Sequence, residues 1–67
     1  MKIFRVVQNP YGDERFCFHA ENQEAADFKV CNWCSYHGFD TFTRSTFSAI
    51  EVAAPKYADN IHDEWVR

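Results

Sequence analysis

A chain of 67 residues has room for one domain, and its seven Phe, three Tyr and two Trp within a 46% apolar composition exclude a disordered polymer. A formal net charge of −3 argues against gripping nucleic acid by its phosphates, which needs a basic stripe, and leaves proteins with basic grooves as partners. Chains this short bury a small fraction of their surface, so a homodimer or a complex with a partner would add stability.

Lys2 to Gln8 predicts a strand, because Ile3, Phe4, Val6 and Val7 are β-branched or aromatic and place apolar groups on both faces. "NPYGDE" follows as a hairpin connection: Pro10 presets one turn dihedral and Gly12 can take the positive φ of a bulge-type loop. Arg15 to Ala20 alternates, with Phe16, Phe18 and Ala20 on one side and Arg15, Cys17 and His19 on the other.

A helix is expected from Gln23 to His37. Asn22 is its N-cap, Glu24 and Asp27 sit near the positive end of its dipole, and Gly38 is its stop, with Phe39 supplying the apolar contact. At 100° per residue, Ala26, Val30, Trp33, Cys34 and His37 share the face that lies on the sheet. Phe28 and Cys31 point away from it, either toward the C-terminal tail or into solvent.

"FDTFTRSTFSAIEV" reads as a third strand whose alternation slips between Phe42 and Phe47, which implies a bulge or a short turn near Arg44 and Ser45. After Pro55 the chain reads either as a short helix with Tyr57, Ala58, Ile61 and Trp65 inward, or as an irregular tail pinned by Trp65. The order strand, strand, helix, strand implies an α+β fold: a two-layer ββαβ domain over residues 1–52, with a small antiparallel sheet crossed by one helix. Residues 53–67 form a C-terminal segment packed on it.

Cys31, Cys34 and His37 have the spacing of three zinc ligands, with His19 or Asp27 as a fourth. Along a helix, however, steps of three residues splay the outer two, and there is no second ligand pair. Cysteine is also a common small apolar core residue, so ordinary packing is the expected role and no metal is assigned. A redox pair wants a helix N-terminus, and these thiols lie late in the helix. No phosphate-cradling glycine loop or nucleophile elbow is present, and one helix on a small sheet offers little volume for a substrate, so no catalytic residue is assigned and no enzyme or cofactor is expected. "RFCF", Arg15 to Phe18, has the pattern of a base-stacking strand, but a helix over that face would cover both rings, so direct nucleic-acid binding is not expected.

A protein-binding surface remains. So small a chain cannot hide every ring, and Phe28, Tyr11 and Trp65 are expected to show. Asp13, Glu14, Asp40, Glu51, Asp59, Asp63 and Glu64 could ring such a patch and steer it toward a basic partner.

The stretch from His19 to Arg44 carries a resemblance. Ala20 and Glu21 end the second strand, residues 22–37 make the crossing helix, Gly38 and Phe39 start the third strand, and Arg44 follows. This layout resembles small phage-encoded inhibitors of strand-strand-helix-strand plan, namely the host RNA-polymerase inhibitors of podophages and several small anti-CRISPR proteins. The resemblance implies a non-catalytic inhibitor that docks on a host protein or ribonucleoprotein complex and blocks its nucleic-acid path, with Arg44 at the contact. The alternative is a small zinc-binding module built on Cys31, Cys34 and His37.

No apolar run approaches the ~20 residues that cross a bilayer, and "MKIFRVVQNP" lacks the apolar core of a signal peptide. Three cysteines do not make a disulfide framework. The expected compartment is the cytoplasm of a bacterial host, with no membrane partner.

Overall fold

The computed structural model describes residues 1–10, 12–53 and 60–66, and all of these except Asp13 with their side chains. It is an α+β domain. Three antiparallel strands, β1 (Lys2–Gln8), β2 (Asp13–Ala20) and β3 (Phe47–Val52), form one sheet in the order β2-β1-β3. One long helix, α1 (Gln23–Tyr36), covers a face of that sheet; a single helical turn, α2 (Thr41–Arg44), precedes β3, and a 3-10 turn spans Asp63–Val66. Tyr11, Asp59 and the expected helix start at Pro55, with Tyr57 and Ala58, lie outside the described residues.

β1 is apolar on both faces because it is the central strand. Phe4 and Val6 join Phe16, Phe18, Ala20 and Ala49 under Ala26, Val30 and Cys34 of α1. Ile3 and Val7, on the opposite face by alternation, are buried as well, as is Cys17. The β1–β2 pairing shifts between Val6, opposite Phe16, and Val7, opposite Glu14, so Arg15 is the extra residue of a bulge. In the connection Gly12 has φ +70° and its N–H donates to the Gln8 carbonyl at 2.8 Å. A side chain at that φ would be strained.

α1 begins where its cap predicts. The Asn22 side chain accepts the Ala25 N–H at 2.9 Å. It ends in a Schellman arrangement: Gly38, at φ +73°, donates to the Ser35 carbonyl, and Phe39 donates to that of Cys34. Phe39 then lies edge-on to Trp33, 5.8 Å between centroids. Trp33 is the hub of the aromatic core, with Phe16 and Phe47 each at 5.3 Å and His37 at 4.9 Å. His37, expected on the buried face, is exposed: it is the C-cap of the helix, and its ring covers Trp33 and Phe39 from the outside.

The third strand is shorter than the sequence suggests. Residues 41–46 do not continue a strand, because local side chains hold them in a helical turn. Asp40 accepts the Thr43 N–H at 2.7 Å, Ser45 Oγ donates to the Phe42 carbonyl at 2.7 Å, and Thr46 Oγ1 donates to that of Thr43 at 2.6 Å. Short polar side chains here outcompete the strand preference of Thr and Phe. Arg44 therefore sits on α2 and not on a strand.

Residues 60–66 run along the outer edge of β2. Ile61 bridges Cys17 in parallel, and the His62 N–H donates to the Cys17 carbonyl at 2.8 Å. Asn60 Nδ2 donates to Glu14 at 3.1 Å, and the His19 N–H donates to Asp63 at 2.6 Å. The apolar anchor of this segment is Val66, which is buried among the core residues; Trp65, expected to pin the tail, is half exposed. Among the described residues no helix is long and apolar enough to cross a membrane.

Candidate partner-binding surface

A groove of about 380 Å³ opens where α1 meets the C-terminal turn. Asn32, Trp33 and Tyr36 of α1 form one wall, and Glu64, Trp65 and Val66 form the other. Phe16 of β2 lies beneath it, edge-on to Trp33 and to Trp65, whose centroid is 5.0 Å away. The Trp65 ring is also stacked on His62 at 4.0 Å and 10°. Both indoles are thus held by packed neighbours. Tyr36, 88% exposed, lies 5.7 Å from the His37 ring.

The charged groups on this side of the molecule are tied together. Glu64 Oε1 lies 3.2 Å from His62 Nδ1, and Asp63 Oδ2 lies 2.7 Å from His19 Nδ1. Partial burial pushes the Asp63 carboxyl up, but the backbone N–H and ring of His19, with Lys29 nearby, outweigh it and hold it below the ordinary carboxylate value. Lys29 Nζ donates to the His19 carbonyl at 2.9 Å, so this cation is engaged at the same seam.

The residues singled out from the sequence do not converge on one place. Trp65 is in the groove. Phe28, 67% exposed, stands on the first half of α1 in a shallow depression with Asn22, Glu24, Ala25 and Lys29. Arg44 projects from α2, its Nη1 donating to Ser35 Oγ at 3.2 Å. Asp40 caps α2, and its carboxyl is held low chiefly by the Thr43 N–H, then by the Thr43 side chain, with Arg44 adding to the effect. Glu14 sits on β2 against Asn60. Tyr11 lies outside the described residues, as does the side chain of Asp13. Trp33 was assigned wholly to the core and Tyr36 was not singled out at all, although their i, i+3 spacing places both on one helix side; Phe42, 80% exposed on α2, was missed because it was read as a strand residue.

The thiols and histidines are dispersed. Cys17, Cys31 and Cys34 are free; Cys31 is exposed while Cys17 and Cys34 are buried. Burial pushes the Cys17 thiol up to about 11, with Glu14 adding and Arg5 opposing, so it is protonated at neutral pH. Burial also raises Cys34, with Cys31 adding and Arg44 opposing. The His37 ring packs against Trp33 and stacks on Phe39 at 5.6 Å. Among the described residues no three His, Cys, Asp or Glu side chains are grouped to hold a metal ion. Phe16 and Phe18 are covered, so their rings present no face on which a base could stack.

Comparisons with protein families, with curated proteins and with solved structures give no match to this chain.

Proposed function

We propose that this protein is a non-catalytic binding domain of the phage or mobile-element inhibitor type, which docks on a host nucleic-acid-handling complex and blocks its nucleic-acid path. The observation that carries the reading is the groove in which Trp33, Tyr36 and Trp65 come together beside Glu64, three large rings and a carboxylate at one place. Aromatic anchors dominate binding hot spots, and their low side-chain entropy makes them effective when held rigid, as both indoles are here. The net charge of −3 supports a partner with a basic groove, where an acidic body competes with the phosphate backbone. The choice between RNA polymerase and a CRISPR complex rests on the strand-strand-helix plan alone.

The test is capture from bacterial lysate, including cells that carry CRISPR complexes, on immobilised protein. A stoichiometric complex that is retained by wild type, lost with Tyr36→Ser and displaced by its own nucleic acid is the expected result. Failure to retain any complex, or retention that nucleic acid does not disturb, overturns the proposal.

A further inference from the structure

We propose that the free edge of β3 pairs with the same edge of a second copy of this chain, joining two three-stranded sheets into one. The two outer edges of the sheet differ. That of β2 is covered by residues 60–66, through the Ile61 bridge and the His62 N–H. That of β3 pairs with no other strand among the described residues. Alternation assigns its main-chain groups. The Thr46 carbonyl accepts the Asn9 N–H and is turned toward β1, whereas the Ala49 carbonyl accepts Gln23 Nε2 at 2.9 Å and is turned away. Phe47, Ala49 and Glu51 therefore present their N–H and C=O groups outward. The usual devices that blunt an edge are missing: β3 holds no Pro and no Lys, and its ladder with β1 has no bulge.

A second copy is the occupant that the charges select. A cleft of about 210 Å³ lies beside this edge, between α1 and β3. Asp27 and the exposed Cys31 line it from α1, Ala49 from β3, and Arg44 from α2. Arg44 is in no ion pair among the described residues: its Nη1 donates to the neutral Ser35 hydroxyl, and the nearby Asp40 already caps α2. Asp27 accepts from the uncharged Gln23 amide. The acid stands on the first half of α1 and the cation beyond its C-terminal end. A two-fold axis through the edge sets the two α1 helices antiparallel on one face of the joined sheet. It thereby brings Asp27 of each copy toward Arg44 of the other. The register that uses all three outward residues sets Ala49 against Ala49 and Phe47 against Glu51 across the axis. An unrelated extended peptide would satisfy the main chain alone; a second copy satisfies the main chain and both charges. The cleft and the groove of Trp33, Tyr36 and Trp65 have no lining residue in common, so the dimer carries two open grooves.

The experiment is sedimentation equilibrium with amide hydrogen exchange on the whole chain, from micromolar to millimolar concentration. A mass of twice 7.9 kDa is expected at the upper end, with exchange at Phe47, Ala49 and Glu51 slowed by about tenfold or more. Glu51→Pro removes an outward N–H and no bond to β1, and should weaken association by about tenfold. Arg44→Glu should weaken it by about the same factor. Adding Asp27→Arg to that variant should restore association to within about threefold, which a merely structural role of either residue would not do. Far-ultraviolet circular dichroism identifies the variants that are folded; should Glu51→Pro fail to fold, the charge exchange decides alone. A monomer mass at millimolar concentration overturns the proposal. So does a dimer that Arg44→Glu and Glu51→Pro leave at full strength, because its interface then lies elsewhere.

Discussion

β1 and the segment 60–66 are attached to the same strand in different ways. β1 has a continuous ladder with β2 from Lys2 to Gln8, interrupted by one bulge, and Phe4 and Val6 are fully buried under α1. The segment 60–66 meets the other edge of β2 through a single bridge, a few polar bonds and the buried Val66. The first attachment rests on apolar burial, which acidity barely touches; the second leans on the Asp63 carboxylate, which acidity can change. The candidate groove has one wall on α1, which packs on the sheet, and the other on residues 60–66, so it should be lost whenever the weaker attachment fails, while the sheet and α1 survive.

The comparison is broken most directly in the core. Phe18→Ala removes a fully buried ring from a domain of 67 residues, and is expected to cost about 3–5 kcal/mol, a large part of such a domain's stability. Urea unfolding followed by far-ultraviolet circular dichroism should shift to much lower denaturant or begin already unfolded. A normal midpoint with loss of the C-terminal segment alone would show that the two regions have been ranked the wrong way round.

Val66→Ala addresses the weaker side. It removes about two methylene equivalents of buried area, roughly 1–2 kcal/mol, from the residue that anchors the segment. The expected outcome is local: the His62 amide loses its exchange protection and Trp65 fluorescence moves toward that of a solvated indole, while the amides of β1 remain protected. Equal loss of protection at β1 and at His62 would mean that the segment and the sheet unfold as one unit.

Acid should separate the same regions more gently. The Asp63 carboxyl is held below its ordinary value in the folded chain, so its contribution is fully present above the unfolded value near 3.8 and is lost as pH falls through the lower folded value. Asp63 is half exposed, so about 1 kcal/mol is the expected scale, from the hydrogen bonds it accepts from His19. Protection of the His62 amide should fall below about pH 4 before that of β1, and Asp63→Asn should flatten that difference. An unchanged acid profile in the variant would remove Asp63 from the attachment.

How far the molecule could be read from its sequence follows the same division. The frame of α1 was legible because its signals are local: Asn22 caps, Gly38 stops and Phe39 folds back. β1 and the hairpin were legible from branched residues and Gly12. The slipped alternation did mark an interruption near Arg44 and Ser45, but Thr41–Arg44 was misread as strand because Thr and Phe favour it, while the hydrogen bonds of Asp40, Ser45 and Thr46 make a helical turn. Trp65 was recognised as an exposed ring, but its pairing with Trp33 and Tyr36 depends on where residues 60–66 dock on β2. That contact spans more than forty residues, from Cys17 to Ile61, and leaves no periodic trace in the chain.

The smallest effects belong to the exposed rings outside the groove. Phe28→Ser and Phe42→Ser each remove a side chain that is mostly in solvent, 67% and 80% exposed, and should change stability by no more than about 0.5 kcal/mol. Neither touches the seam between α1 and residues 60–66, so the indole shifts of Trp33 and Trp65 should be unchanged in both. Their value lies in the contrast with Tyr36→Ser, which is equally benign to the fold but removes a groove wall. If Phe28→Ser weakens partner capture as much as Tyr36→Ser does, the binding face extends along α1 toward its N-terminus and the groove is only one end of it. If only Tyr36→Ser weakens capture, recognition is confined to the place where the strongly and weakly attached regions meet, and releasing residues 60–66 by acid or by Val66→Ala should release the partner too.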